Sequence, residues 1–300
     1  MQPLPQKHRY AYMIIAIIAF VISAPLLILY ASGYRLDKTF NFATTGGVNI
    51  SAPLSGTEIY VNNELVRTTS IFQKSVFVQN LKPGTYSVSV QKQGYQEWHK
   101  TLQVFPETVT DAYSFTLPIT LVTKEIPPKI PASGSATAST TATTKLVENP
   151  DYVDVEALFA VPKKVTVPAP KVATTTVKVA TSTDIAKEFR KLLVEKVNGS
   201  LKVTWTGDIE SKPSYFCQSE ECKDEIYIKP SSTLKRFDFF PGRGDLIIMS
   251  LADGIFVSEI DDRSPQNVQK LFDGPNADFR IKDGDKIFIK KDSSYYSVSL

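Results

Sequence analysis

"LKPGTYSVSVQKQGYQEW" runs from Leu81 to Trp98. Pro83-Gly84 is a turn pair. After it, Tyr86, Val88 and Val90 alternate with Ser87, Ser89 and Gln91, the two-residue period of a half-buried strand. Gly94-Tyr95 marks a second turn at once, so the stretch predicts a hairpin. The pattern extends both ways. Upstream lie "GGVNIS", "TEIYV", "ELVRT" and "SVFVQNL"; Ile59 and Val61 alternate with Glu58 and Tyr60. Asn62-Asn63 supplies a tight turn, because Asn tolerates positive φ. Downstream lie "HKTLQV" and "VTDAYSFTL". No stretch between residues 46 and 122 has helical apolar spacing. Residues 44–122 therefore read as a small β-sandwich of about 75–80 residues, within the usual domain range.

The whole chain has 300 residues, 42% apolar and 22% charged. That is ordinary for a folded protein and leaves room for two modest domains. Net charge is +3, and no Lys/Arg-dense stripe is present, which argues against a nucleic-acid partner. Two Cys and two His restrict the chemistry. A four-ligand zinc site would need all of them, and His8 precedes the apolar segment, so no metal or other cofactor is expected.

That segment, "YAYMIIAIIAFVISAPLLILYASGY" from Tyr10 to Tyr34, carries no charge. It exceeds the roughly 20 apolar residues that a membrane helix needs. Pro25 would kink it, which membrane helices tolerate. Tyr10, Tyr12, Tyr30 and Tyr34 lie near its two ends, where aromatic residues mark the interfaces. Residues 1–9 read as a cytoplasmic tail and 10–34 as a single-pass transmembrane helix, with the bulk of the chain outside the cell membrane. Lys7 and Arg9 before the span and Arg35 and Lys38 after it barely orient it. The alternative is a signal peptide cleaved near Ala31-Ser32-Gly33, although the apolar run is longer than a signal core of roughly 7–15 residues.

Residues 123–182 change in kind. "PPKIPASGSATASTTATTK" and "VPKKVTVPAPKVATTTVKVATST" are rich in Pro, Ala, Thr, Ser and Lys. Such composition buries too little apolar surface to order itself, and its Pro content favours an extended spacer. "YVDVEALFAV" interrupts it as a segment able to dock. "DIAKEFRKLLVEKV", Asp184–Val197, then predicts a soluble helix. Ile185, Phe189, Leu192 and Leu193 line one face, Thr183 or Asp184 caps it, and Asn198-Gly199 ends it.

Residues 200–300 return to strands and contain a repeat. "DFFPGRGDLII" from Asp238 matches "DFRIKDGDKIFI" from Asp278 at an offset of 40 residues. That period fits a four-stranded propeller blade of roughly 40–45 residues. "IFVSEI" and "VQKLF" supply outer strands of the first copy, and "YYSVSL" the third strand of the second. "LKVTW", "SYFC" and "EIYI" suggest an earlier, degenerate blade. Two to three blades fall short of the roughly four that close a propeller. The sheets then stack openly, or copies associate, or an upstream strand completes the last blade. "TTVKVAT", Thr175–Thr181, is the candidate for that strand.

The module resembles the PEGA domain, a small β-sandwich of bacterial and archaeal surface proteins. The matching residues are "SGTEIYVNNELV" (Ser55–Val66), "NLKPGTYSVSVQKQGY" (Asn80–Tyr95) and Trp98. The family pattern is Gly-Ala before the second strand, an Asn-Gly turn, then Leu-x-Pro-Gly-x-Tyr and Gly-Tyr. Here Leu54 stands for the namesake Pro, Thr57 for Ala and Asn63 for Gly. The layout of span, module and blades is similar to that of membrane-anchored PEGA proteins of ultrasmall, uncultivated bacteria. "SYFCQSEEC" and "FDFFPGRGDLIIMSLADGIFVSEID" resemble their C-terminal part. The resemblance implies an envelope role and no known activity.

Candidate chemistry is sparse. Cys217 and Cys222 flank a turn. They can form a disulfide if their Cα atoms come within about 7 Å; the alternative is two free thiols. His99 is the one histidine beyond the span, so every triad would depend on it, and its polar neighbours read as a solvated strand position. Asp208, Asp253, Asp261, Asp262, Asp283 and Asp285 read as turn formers, and no carboxylate pair is singled out for glycoside hydrolysis. "RGD" at Arg243 falls at a repeat turn whose other copy is "DGD". Tyr60, Tyr95 and Trp98 lie near turns or on polar strand phases. As exposed aromatics they are the candidate ligand-binding residues; the alternative for them is sandwich core, where Tyr86 is placed outright. The expected protein is mainly β and not an enzyme. It has a transmembrane helix, a PEGA-like sandwich (44–122), a disordered linker (123–182), and a helix plus incomplete propeller-like region (183–300). It would bind envelope polysaccharide or a surface protein, or alternatively serve as a scaffold whose blades pair with another chain.

Overall fold

The computed structural model describes residues 6–36, 42–131, 146–160, 186–218 and 221–299. Helix α1 (Gln6–Ala31) includes the strongly apolar stretch His8–Ala31, none of which is buried against the rest of the chain. At 1.5 Å per residue its 26 residues exceed the roughly 30 Å hydrocarbon core of a bilayer. It is a candidate membrane anchor or signal sequence. Its base is tied down. Arg35 stacks 3.9 Å from the centroid of the Tyr30 ring and donates to the Tyr30 carbonyl and to Asn80 Oδ1. Thr45 donates to the Gly33 carbonyl from both N and Oγ1.

The described residues form two compact units. One takes in the chain up to Val90, His99–Phe115 and Gln218–Glu221. The other takes in Gln91–Trp98, Thr116–Cys217 and Cys222–Leu300. Seven strands make the module: β1 (Gly46–Ser51), β2 (Glu58–Val61), β3 (Glu64–Thr68), β4 (Ser75–Leu81), β5 (Gly84–Gln91), β6 (Trp98–Val104) and β7 (Val109–Tyr113). They form two sheets, ordered β4-β1-β7 and β3-β2-β5-β6. Alternate residues of both are buried: Val48 and Ile50 in one sheet, Ile59, Val61, Val88, Val90, Leu102 and Val104 in the other. Asn62 and Asn63 both have positive φ, as the tight β2–β3 hairpin requires. Tyr86 is only half-buried, its hydroxyl donating to the Lys82 carbonyl.

The second unit contains β8 (Val122–Ile126), α2 (Pro150–Phe159), a short strand pair at Lys129–Pro131 and Leu146–Glu148, and the further strands of its larger sheets. These are β9 (Ala186–Phe189), β10 (Leu192–Val197), β11 (Ser200–Trp205), β12 (Glu225–Ile228), β13 (Arg236–Phe239), β14 (Leu246–Ser250), β15 (Gly254–Glu259), β16 (Val268–Asp273), β17 (Asp278–Lys282), β18 (Lys286–Lys291) and β19 (Ser294–Ser299). They build three antiparallel sheets of four strands: β9-β10-β11-β12, β13-β14-β15-β16 and β8-β19-β18-β17. The two copies of the 40-residue sequence pattern both fall on antiparallel hairpins, β13–β14 and β17–β18.

Two expectations are corrected. Asp184–Val197 is no helix: its described part is the β9–β10 hairpin, turned at Arg190 and Lys191, both with positive φ. The apolar positions fit two periods at once, and burial chose the shorter. Leu192 and Val194 are buried while Glu195 faces away, and β10 pairs along its length with β11. Asn198-Gly199 is a hairpin turn, not a helix stop. The bounds 123–182 also take in structured residues, β8 and α2 among them. β8 pairs with β19, from Val122 opposite Ser299 to Ile126 opposite Tyr295. An upstream strand does complete the last sheet, but it is Val122–Ile126; Thr175–Thr181 lies outside the described residues.

The sheets pack in succession. Leu192, Val194, Leu201, Val203, Ile226 and Ile228 of the first share a core with Phe237, Phe239, Ile247 and Met249 of the second. Every residue of β14 is buried, as a strand covered on both faces must be. Arg236–Asp278 at 3.0 Å and the Phe272–Tyr296 ring pair join the second sheet to the third. On the far side of the third, α2 lays Val155 and Phe159 over Ile126 and Tyr295. Asn149 caps its start, and Arg280 Nε takes the Leu158 carbonyl near its end.

Candidate functional site

The three aromatic residues singled out from sequence are not brought together. Trp98 is fully buried, and its Nε1–H donates to Glu259 Oε2 at 2.9 Å. Glu259 is buried too, and its other oxygen accepts from the Asn267 backbone and side-chain amides at 2.6 and 2.7 Å. A buried indole with its N–H on a buried carboxylate is an anchor, so the reading of Trp98 as a ligand platform is overturned. Its neighbours do similar work. The Gln96 side chain exchanges two hydrogen bonds with the Lys270 backbone, as a strand residue would. Gln269 accepts from the Leu117 amide and donates to the Glu97 carbonyl.

Tyr95 belongs to the same unit and is half-buried, with the Lys92 ammonium 4.9 Å from its ring centroid. Tyr60 belongs to the other unit. Its hydroxyl bonds Glu58 Oε2 at 2.8 Å, and that bond, with lesser help from desolvation, pushes the phenol above its usual pKa. His99 is half-buried and shares a 2.8 Å hydrogen bond with Ser87 Oγ, which corrects the solvated reading. Cys217 and Cys222 are disulfide-bonded, with Cα atoms 4.0 Å apart. Arg243 is held by both oxygens of Asp245, so the tripeptide there closes on itself. Among the described residues no three of His, Cys, Asp and Glu converge.

What sequence reading missed is the outward face of β4-β1-β7. The register places Phe77, Asn49 and Asp111 in one row across the three strands. Ser75, Ser51 and Tyr113 form the next row, and Gly47 lies opposite Val109. Phe77 is 54% exposed, Val109 51% and Tyr113 41%. Asn49 Nδ2 donates to Asp111 Oδ1 at 2.9 Å between the aromatic residues. The Phe77 ring lies down over Gly47, where a Cβ would come within 2.6 Å of Cε2; only glycine leaves the ring that bed. Two rings thus flank a planar amide–carboxylate pair on a floor of Gly and Ser. A signal existed: Phe77 shares its strand phase with Ser75 and Gln79, the phase opposite the buried Val76. The parallel β1–β7 pairing that adds Asp111 and Tyr113 had none.

Compared with known proteins, residues 45–119 match the model of the PEGA domain, a surface-associated module. No curated protein matches the chain.

Proposed function

We propose that this chain is a non-catalytic envelope protein, tethered by α1, whose PEGA module binds a surface polymer. The observation that carries the reading is the exposed β4-β1-β7 face, where Phe77 and Tyr113 flank the Asn49–Asp111 pair. Exposed aromatic residues beside oriented polar groups are what recognition surfaces use. An apolar helix with no buried side of its own, bonded at its base to the module, supports membrane tethering. The resemblance to membrane-anchored PEGA proteins of ultrasmall bacteria supports an envelope location, and the three four-stranded antiparallel sheets support reading the rest as an open, propeller-like array.

A scaffold whose blades pair with another chain is the weaker reading, because both outer faces of the array are already finished. One is covered by α2. The other carries Lys202 between Glu195 and Glu225. The test is binding of the full chain, in detergent micelles, to isolated envelope polysaccharide. Saturable retention supports the proposal. A folded chain that binds no polysaccharide yet gains mass with concentration would support assembly instead.

A further inference from the structure

We infer that the Ile71–Phe72 tip of the module inserts into an anionic lipid surface other than the bilayer that α1 crosses. The inference rests on the proposed tether and goes beyond polymer binding. β3 leaves one sheet at Thr68 and β4 enters the other at Ser75. At the apex of the connection, Ile71 is 73% exposed and Phe72 98%. Connections normally turn on Gly, Pro, Asn, Asp or Ser. A branched apolar residue and a phenyl ring there serve neither the turn nor a core.

Other residues hold the tip in shape. The Ser70 amide donates to the Gln73 carbonyl and the Gln73 amide to Ser70 Oγ, both at 3.1 Å. Arg67 Nη1 donates to Gln73 Oε1 at 3.0 Å. Beneath the tip, Thr69 is the one buried residue from Asn62 to Ser75. Its Oγ1 donates to the Leu54 carbonyl and accepts from the Thr57 amide. Two apolar side chains are thus presented on a pre-formed loop, so little ordering entropy opposes their insertion.

Position, size and charge name the occupant. The base of α1 is bonded to the module at Asn80, toward one end of β4, and the tip precedes Ser75 at the other end. Five residue steps separate Ser75 from Asn80, about 17 Å of strand. The tip therefore lies at the far end of the module from the anchor. A stable protein interface buries about 1,200–2,000 Å², far more than two side chains supply. A lipid headgroup region closes around a small apolar tip and needs no matching surface. Between Leu65 and Ser75 the charged residues are Arg67 and Lys74, both exposed. Glu58 of β2 lies opposite Thr68, on the sheet face away from Arg67, and its carboxylate takes the Tyr60 hydroxyl. Apolar side chains flanked by cations suit the interface of an anionic bilayer.

The experiment seats the full chain in phosphatidylcholine nanodiscs and adds free vesicles, of phosphatidylcholine alone or mixed with phosphatidylglycerol. Co-flotation reads the docking. The expected result is docking to the mixed vesicles, weakened by added salt, and little to phosphatidylcholine alone. Ile71→Ser/Phe72→Ser should weaken docking by about tenfold or more, while Phe72→Trp keeps it. Arg67→Gln/Lys74→Gln should erase the preference for phosphatidylglycerol. Ile209→Ser, at a site as exposed as Ile71, should dock as the parent does. Docking that survives Ile71→Ser/Phe72→Ser, or that ignores phosphatidylglycerol, overturns the inference and leaves the tether standing. So does a folded, seated chain that docks to neither vesicle, which would turn the tip toward a protein pocket. A chain that does not enter the nanodisc overturns the tether, and the second-bilayer reading with it.

Discussion

The two outer faces of the three-sheet array end it in opposite ways. On the first sheet, Lys202 reaches Glu195 at 3.4 Å and Glu225 at 3.3 Å, and the Tyr227 hydroxyl donates to Glu225 at 2.7 Å. That face is polar and needs only water. On the third sheet, Ile126 and Tyr295 are buried only because α2 covers them with Tyr152, Val155 and Phe159. Stacked sheets bury one another's faces, so an array must finish each end with a polar surface or a lid. This chain uses one of each. The lesson concerns where stability resides: apolar contact under the lid, solvated charge on the open face.

The largest expected effect is at the lid. Phe159→Ala removes a buried ring that packs on Tyr295 at 5.5 Å, and should cost about 3 kcal/mol, read as a lowered midpoint in chemical denaturation. Ile126→Ala trims the floor and should cost about 2 kcal/mol; a loss as large as that of Phe159→Ala would mean that β8 and not α2 is the main support. A third effect separates the ends by pH. Hydrogen bonds from Tyr227 first and then Lys202 hold the Glu225 carboxyl below its ordinary pKa. A depressed folded pKa gives stability that is complete above the unfolded value and lost as pH falls through the folded one. The polar face should therefore weaken in acid, and Glu225→Gln should reduce the acid dependence of the melting temperature. At the lid, burial first and then Glu156 raise the Tyr295 phenol. Its contribution is present below the unfolded value and lost as pH rises through the folded one, so Tyr295→Phe should flatten the alkaline limb. The smallest effect is Lys202→Met, expected to leave the melting temperature unchanged at neutral pH, since exposed ion pairs contribute little. A large loss there would erase the contrast.

The local β pattern was legible because its signals are local. Val88 and Val90 are buried as their alternation requires, and Asn62-Asn63 turns as Asn residues can. Both copies of the 40-residue sequence pattern lie on hairpins, one in each of two sheets. Asp184–Val197 misled because the same apolar residues satisfy both a helix and a strand, and only β11 alongside decides between them. β8 hid in a Pro-rich neighbourhood, its partner β19 being remote in sequence. Trp98 misled for a related reason: its local setting is a turn with polar neighbours, while what buries it includes Glu259, 161 positions away. The Phe77–Tyr113 face shares that cause. Each strand was visible, but which strands lie side by side was not.

The bond between Ser294 and Glu125 spans 169 positions. During synthesis, β8 must therefore wait for its neighbour. At about 5–20 residues per second, the wait is roughly 10–30 s. Until then β8 carries an open edge, the kind of surface on which chains aggregate. β19 is the bolt that shuts it, and a chain interrupted before Ser294 would leave the cell an unlatched sheet to hold or destroy.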